Sequence, residues 1–202
     1  MEGWENTLYS PDETTGIRRI LDSFRDDPQT FFYLRVHPNL ATVPEKRNSQ
    51  LKDIRVLAGS YPNLLVIWPE KKIHSYALMD ACDVTVTFGS TIGAEATYWE
   101  KPSILAGKAL YQNLGCCYVP TTHEELVSLL RTRHVPHKPR ETALMYGYRE
   151  MAYGTPFVNY APSSPSNGYF KGVRVEASAA VRALLVVPRI RRKISRILAG
   201  IL

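Results

Sequence analysis

Three short stretches carry side chains whose types and spacing suit binding a phosphate. The first is FGSTIGAEA, residues 88–96. Ser90 and Thr91 stand where an apolar run ends and a helical pattern begins, with Gly89 and Gly93 on either side. The first N–H groups of a helix lack intrahelical acceptors and lie at the positive end of its dipole, so an anion is stabilised there. Two hydroxyls add donors, and the glycines let a ligand approach the backbone. Glu95 follows Thr91 by about one helical turn, within reach of ribose hydroxyls, and equally suits a solvated helix face. The plain alternative is that Ser90 or Thr91 only caps the helix, an effect worth about 1 kcal/mol.

The second stretch is YLRVHPN, residues 33–39. Arg35 and His37 alternate with Val36, so in an extended chain both point to one side. Pro38 stops the strand and fixes the turn. A histidine there can donate a hydrogen bond to a phosphate or to a leaving oxygen, though an isolated His-Pro after a strand is more often only a turn. The third is PEKKIHSY, residues 69–76, in which Ser75 and Tyr76 are candidates for base or ribose contacts and Lys71 and Lys72 read as surface charges.

The elements that must position these residues alternate along the chain. GIRRILDSF, EKRNSQLKDIRVLAG, KIHSYALMDAC and TIGAEATYW have helical spacing. FFYLRV, NLLVIW, DVTVTF and PSILAG are short runs suited to strands. THEELVSLLRTR reads as a helix capped by Thr121 or Thr122, with Glu124 or Glu125 completing a capping box. This alternation predicts an α/β fold, a Rossmann-like parallel sheet with helices on both faces. The three polar clusters then lie at the carboxyl ends of strands, where such sheets bind nucleotides.

Composition narrows the classes. The chain has 202 residues, 45% hydrophobic and 22% charged, which suits one globular core of fair size. Its three cysteines, Cys82, Cys116 and Cys117, form no CxxC pair, and the histidines show no zinc spacing, so a reducing compartment without disulfides or metal is expected. No signal peptide and no apolar run of about 18 residues is seen. The net charge is +6, but Arg189, Arg191, Arg192, Lys193 and Arg196 carry most of it. Nucleic acid is therefore not an expected partner. Residues 159–172 read as a linker rich in Pro, Ser, Asn and Gly, after a domain spanning 1–158. Residues 173–202 read as a C-terminal helical tail, amphipathic and basic. It is suited either to an anionic membrane surface through 188–202 or to packing on its own domain.

The motifs LRVHPN, NLLVIWPEKKIHSYALMDACDVTVTFGSTIGAEATYWEKPSIL and YQNLGCCYVPTTHEELVSLL resemble the C-terminal half of bacterial capsule and surface-polysaccharide biosynthesis proteins. Those proteins are similar to glycosyltransferases built from two Rossmann domains, the GT-B type. WENTLYSPDE resembles the loop after the first strand of that domain, and the resemblance covers roughly residues 4–150. It implies that the His-Pro pair, His37 and Pro38, and the Ser/Thr pair, Ser90 and Thr91, hold the phosphate of a CMP-sugar, as in sialic acid and Kdo transferases. His37 would be the catalytic residue. Arg35, Ser75, Tyr76, Gly89 and Glu95 would complete the nucleotide site, with no metal and no cofactor. The absence of a D-x-D triplet agrees with metal independence.

The resemblance further implies a nucleotide-sugar donor, a polysaccharide or glycolipid acceptor, and a cytoplasmic location, peripheral at the inner membrane face. The N-terminal domain that supplies the general base in similar enzymes has no counterpart in these residues. A second chain is one expected source of it, and alone the domain should transfer sugar slowly or not at all. Two enzyme alternatives stay open, a polyol-phosphate transferase and a UDP-sugar 2-epimerase, although the latter would want Gly-Gly where Ser90-Thr91 stands. A non-catalytic nucleotide-binding or scaffold subunit is the alternative outside enzymes.

Overall fold

The computed structural model describes residues 8–9, 13–42, 49–152, 158–164 and 167–176. The chain divides into two compact units, Met1–Ala152 and Tyr153–Leu202. It is mixed α/β, with small parallel and antiparallel sheets and six α-helices among the described residues.

In the first unit the order is α1 (Glu13–Ser23), β1 (Phe32–Arg35), a 3₁₀ turn (Pro38–Thr42), α2 (Ser49–Ser60), β2 (Leu64–Ile67), α3 (Ser75–Asp80), β3 (Thr85–Thr87), α4 (Ile92–Tyr98), β4 (Ser103–Leu105), α5 (His123–Arg131) and α6 (Arg140–Ala152). β1 pairs in parallel with β2, and β3 with β4. Tyr118 adds a parallel bridge to Ile104 on the far side of β4. The expected helix–strand alternation therefore holds, as two separate two-stranded sheets.

Local chemistry explains the main boundaries. α5 starts at Thr122, whose hydroxyl accepts from the Glu125 N–H at 3.1 Å. The Glu125 carboxylate reaches back to the Thr121 N–H at 2.7 Å, which pulls its carboxyl below the usual range. Of the cap residues expected, Thr122 and Glu125 are the pair used. α4 ends in a Schellman motif: Lys101 N–H reaches the Ala96 carbonyl at 2.9 Å and Glu100 N–H that of Thr97 at 3.0 Å. Glu100 takes the left-handed conformation that glycine usually fills there (φ 56°).

The core is continuous across α1. Ile20 packs with Ile104, Ala106 and Leu126, while the adjacent Leu21 packs with Leu57, Tyr61 and Leu64. A further cluster joins Ala94, Leu105, Tyr111, Cys116, Cys117, Ala143 and Tyr146 beneath α4 and α6. The three cysteines are free thiols.

The second unit corrects the expected linker. Residues 160–164, 167–170 and 173–176 form β5 (Tyr160–Ser164), β6 (Asn167–Phe170) and β7 (Val173–Glu176), an antiparallel sheet in that order. Lys171 and Gly172 both have positive φ (49° and 82°), the two-residue turn whose twist matches paired strands. Gly168 leaves room for the Tyr160 ring, which would collide with any side chain there. Val173–Glu176 is thus a strand, where a helical tail was expected from 173; residues 177–202 of that tail lie outside the described residues. Among the described residues no helix is long and apolar enough to cross a membrane.

Candidate functional site

The loop after β3 is held by backbone fit and by one buried tyrosine. Gly89 has φ 152°, and a Cβ there would stand 2.9 Å from the Lys108 carbonyl oxygen. A Cβ at Gly107 would run into the carbonyl of Phe88. The loops after β3 and β4 therefore pack backbone against backbone, which only glycine permits at these two positions. Tyr111, 1% exposed, donates its hydroxyl to the Ser90 carbonyl at 2.6 Å. Its oxygen also lies 3.2 Å from Thr87 Oγ1. With the phenol proton committed to Ser90, Thr87 is the donor in that second contact. Burial pushes the Tyr111 phenol far above its ordinary range, so it stays a neutral donor at all physiological pH. Gly93 leaves room for that hydroxyl.

Within this frame Ser90 and Thr91 are exposed and do different things. Ser90 Oγ accepts from the Ile92 N–H at 3.4 Å, a long cap contact that leaves its own proton available. Thr91 donates its hydroxyl to Glu95 Oε1 at 2.7 Å, one turn on. Among the described residues, the backbone N–H groups of Ser90 and Thr91 have no acceptor. The donors that face outward are thus two N–H groups and the Ser90 hydroxyl. α4 has only seven residues, so its dipole is small and these individual donors matter more than the helix.

Glu95 joins two of the expected clusters. Its carboxylate accepts the Thr91 hydroxyl at 2.7 Å, and the same carboxylate beside the Tyr76 phenol raises that phenol above its ordinary range. Tyr76, Thr91 and Glu95 therefore lie near one another, with Ser75 exposed beside Tyr76 at the start of α3. Exposed rings flank Tyr76, with His74 at 5.3 Å and Trp99 at 6.3 Å between centroids.

The His-Pro stretch lies at the carboxyl end of β1. His37 is exposed, and its Nδ1 accepts from the Asn39 N–H at 3.1 Å, which fixes the neutral tautomer with the proton on Nε2. Pro38 opens the 3₁₀ turn. Arg35 is not projected outward beside His37 as the strand alternation predicted. Its guanidinium turns onto the Val36 and Trp68 carbonyls at 3.3 and 3.2 Å, tying together the ends of β1 and β2. Among the described residues no hydrogen bond links Arg35 or His37 to the Ser90–Glu95 group.

Sequence reading missed Tyr111, Thr87 and Gly107. Gly93 leaves the space that the Tyr111 hydroxyl fills, and that glycine inside the start of α4 was the available signal. No described group of His, Cys, Asp and Glu is arranged to hold a metal ion.

A cavity of about 410 Å³ lies elsewhere, lined by Ser23, His123, Glu124, Val127, Ser128 and Arg131. Its histidine is locked: Tyr9 OH lies 2.7 Å from Nδ1, and Nε2 lies 2.9 Å from Ser23 Oγ. Ser23 donates to the Arg19 carbonyl at 3.0 Å. The consistent assignment is Tyr9 to Nδ1, Nε2–H to Ser23 and Ser23 to Arg19, which leaves His123 no lone pair with which to activate the serine.

No known protein family, curated protein or solved structure matches the chain.

Proposed function

We propose that the first unit is the nucleotide-sugar-binding, Rossmann-like half of a GT-B glycosyltransferase in capsule or cell-surface polysaccharide biosynthesis, taking a CMP-sugar. The observation that carries this reading is the Ser90–Thr91 loop, whose N–H groups and serine hydroxyl face outward while Tyr111, Gly89 and Gly107 hold it from below.

Breaking the bond between sugar and nucleotide leaves negative charge on a phosphate oxygen. Fixed N–H and O–H donors stabilise that charge as it develops, because they need no reorganisation. His37, with a proton on an outward Nε2, is the fourth donor and the catalytic residue of the reading. Glu95 and Tyr76 fit the ribose, whose hydroxyls can replace the Thr91 hydroxyl on the carboxylate. The acceptor hydroxyl, on a polysaccharide or glycolipid, needs a general base from another domain or chain. The basic stretch 188–202 would bring the protein to an anionic membrane surface.

His37 provides the test. His37→Ala should weaken binding of CMP several-fold, read as a change in Kd, with little change in thermal unfolding, since the exposed ring bonds only the Asn39 N–H of the adjoining turn among the described residues. An unchanged Kd removes His37 from the site.

A further inference from the structure

Tyr9 is buried where α1, α5 and the loop after β3 meet. A Cβ at Gly16 of α1 would stand 2.6 Å from the Tyr9 ring carbon Cγ and 2.7 Å from Phe88 Cε1, so the glycine makes the space that both rings share. The Tyr9 and Phe88 rings lie 5.9 Å apart between centroids. Phe88 directly precedes Gly89 and the Ser90 loop. The polar end of Tyr9 meets His123 of α5, whose ring stands nearly perpendicular to it at 5.9 Å. Among the described residues, the Tyr9 hydroxyl has no hydrogen-bond partner other than His123 Nδ1.

This arrangement suits one protonation state. Neutral His123 accepts at Nδ1 from Tyr9 and donates from Nε2–H to Ser23, which donates in turn to the Arg19 carbonyl. A second ring proton goes on Nδ1, and two donors then face each other across 2.7 Å. The phenol must turn its proton away from the ring, yet Tyr9 is only 5% exposed. Losing that proton offers no escape, because burial raises the phenol above its ordinary range, against the charge of Arg19 and with that of Glu124. Arg19 of α1 and Glu124 of α5 are also the charges that act on His123, and Arg131 of α5 lines the same cavity. Burial first, and then Arg19, disfavour the charged ring, while Glu124 favours it by less. The other tie between these helices, Arg131 to the Ser23 carbonyl at 3.1 Å, does not involve the ring. The conflict therefore falls on Tyr9 and not on the packing of α1 with α5.

We propose that His123 is an acid-sensitive latch: taking up a proton at Nδ1 unseats Tyr9 from its place against Gly16 and Phe88. A buried hydroxyl left without an acceptor favours the conformations in which it reaches water. The latch is closed above the folded-state pKa of His123 and opens as pH falls through it. Opening removes a ring from beside Phe88, so the loop that begins at Gly89 loses one support, while Tyr111 still holds the Ser90 carbonyl. The proposal rests on the chain of bonds from Tyr9 through His123 to Ser23 and not on the phosphate reading.

Nuclear magnetic resonance on the full chain tests it, from pH 7.5 down to 4.5 and without any nucleotide. The His123 ring signals report its protonation. The Gly16 α-protons lie against the Tyr9 ring and carry its ring-current shift. That shift should collapse with the midpoint of the His123 titration, the ratio of seated to released Tyr9 falling on the order of tenfold or more. His123→Gln supplies an acceptor oxygen for Tyr9 and an N–H for Ser23 without a titrating ring, so its Gly16 shift should stay constant over the range. Four results overturn the proposal: a Gly16 shift that ignores the His123 titration, a His123 ring that stays neutral throughout, an equal collapse in His123→Gln, or the loss of all tertiary shifts together.

Discussion

At the residue scale, the candidate site depends on a hydroxyl that touches no ligand in the proposed reading. Tyr111 OH holds the Ser90 carbonyl and takes the Thr87 hydroxyl in a buried setting. Tyr111→Phe leaves the Thr87 hydroxyl without an acceptor, at a cost of about 1–2 kcal/mol. The same change loosens the Ser90 loop. We expect a lower denaturant midpoint together with weaker nucleotide binding; unchanged binding in the destabilised variant would separate Tyr111 from the site. Tyr111 acts on Thr87 across 24 positions, and that distance is why local patterns reveal Ser90 but not its support. Arg35 shows the same limit in reverse. Strand alternation fixes which way it leaves the backbone, but not that its long side chain folds back onto two carbonyls.

His123 carries a pH prediction. Burial, followed by the charge of Arg19, lowers its pKa below the ordinary value, so the folded chain holds this proton less readily than the unfolded chain. The stability it contributes is present above the unfolded value, about 6.5, and is lost as pH falls through the lower folded value. Chemical denaturation from pH 7.5 down to 5 should show falling stability that His123→Gln flattens. An identical pH dependence in the variant would assign the loss to other groups.

At the scale of elements, most helices and strands of the first unit are legible because apolar spacing changes from the helical period to short β-rich runs. α6 is not, since its apolar residues lie on several faces: Ala143 and Tyr146 are buried, whereas Leu144, Met145, Tyr148 and Met151 are exposed. The hairpins of the second unit are hidden by composition. Proline, serine and glycine suggest a loop, yet backbone pairing, a two-residue turn and a ring over Gly168 suffice for strands. Capping geometry gives the sharpest element-level expectation. Glu100 sits in a left-handed conformation at the end of α4 with an exposed side chain. Glu100→Gly should stabilise the chain by about 1 kcal/mol, seen as a higher denaturant midpoint at constant slope. Destabilisation would mean that the Glu100 side chain supports the turn in another way.

At the scale of the whole molecule, two units share the chain, and the chemistry proposed belongs to the first. Its α/β alternation was readable from residues 13–131, while the separation into two parallel pairs was not, because hydrophobic runs report burial and not which strands are neighbours. The central claim is that the outward donors at Ser90 and Thr91 serve a nucleotide phosphate. The direct measurement is calorimetric titration of the full chain with CMP, CDP, UMP and UDP, repeated on the Ser90→Ala/Thr91→Ala double variant. The account predicts selective binding of the cytidine nucleotides and its loss in the double variant, with the fold intact. Equal affinity of the two proteins for every nucleotide, or no binding by either, would mean that the hydroxyls shape only the start of α4, and would contradict the account.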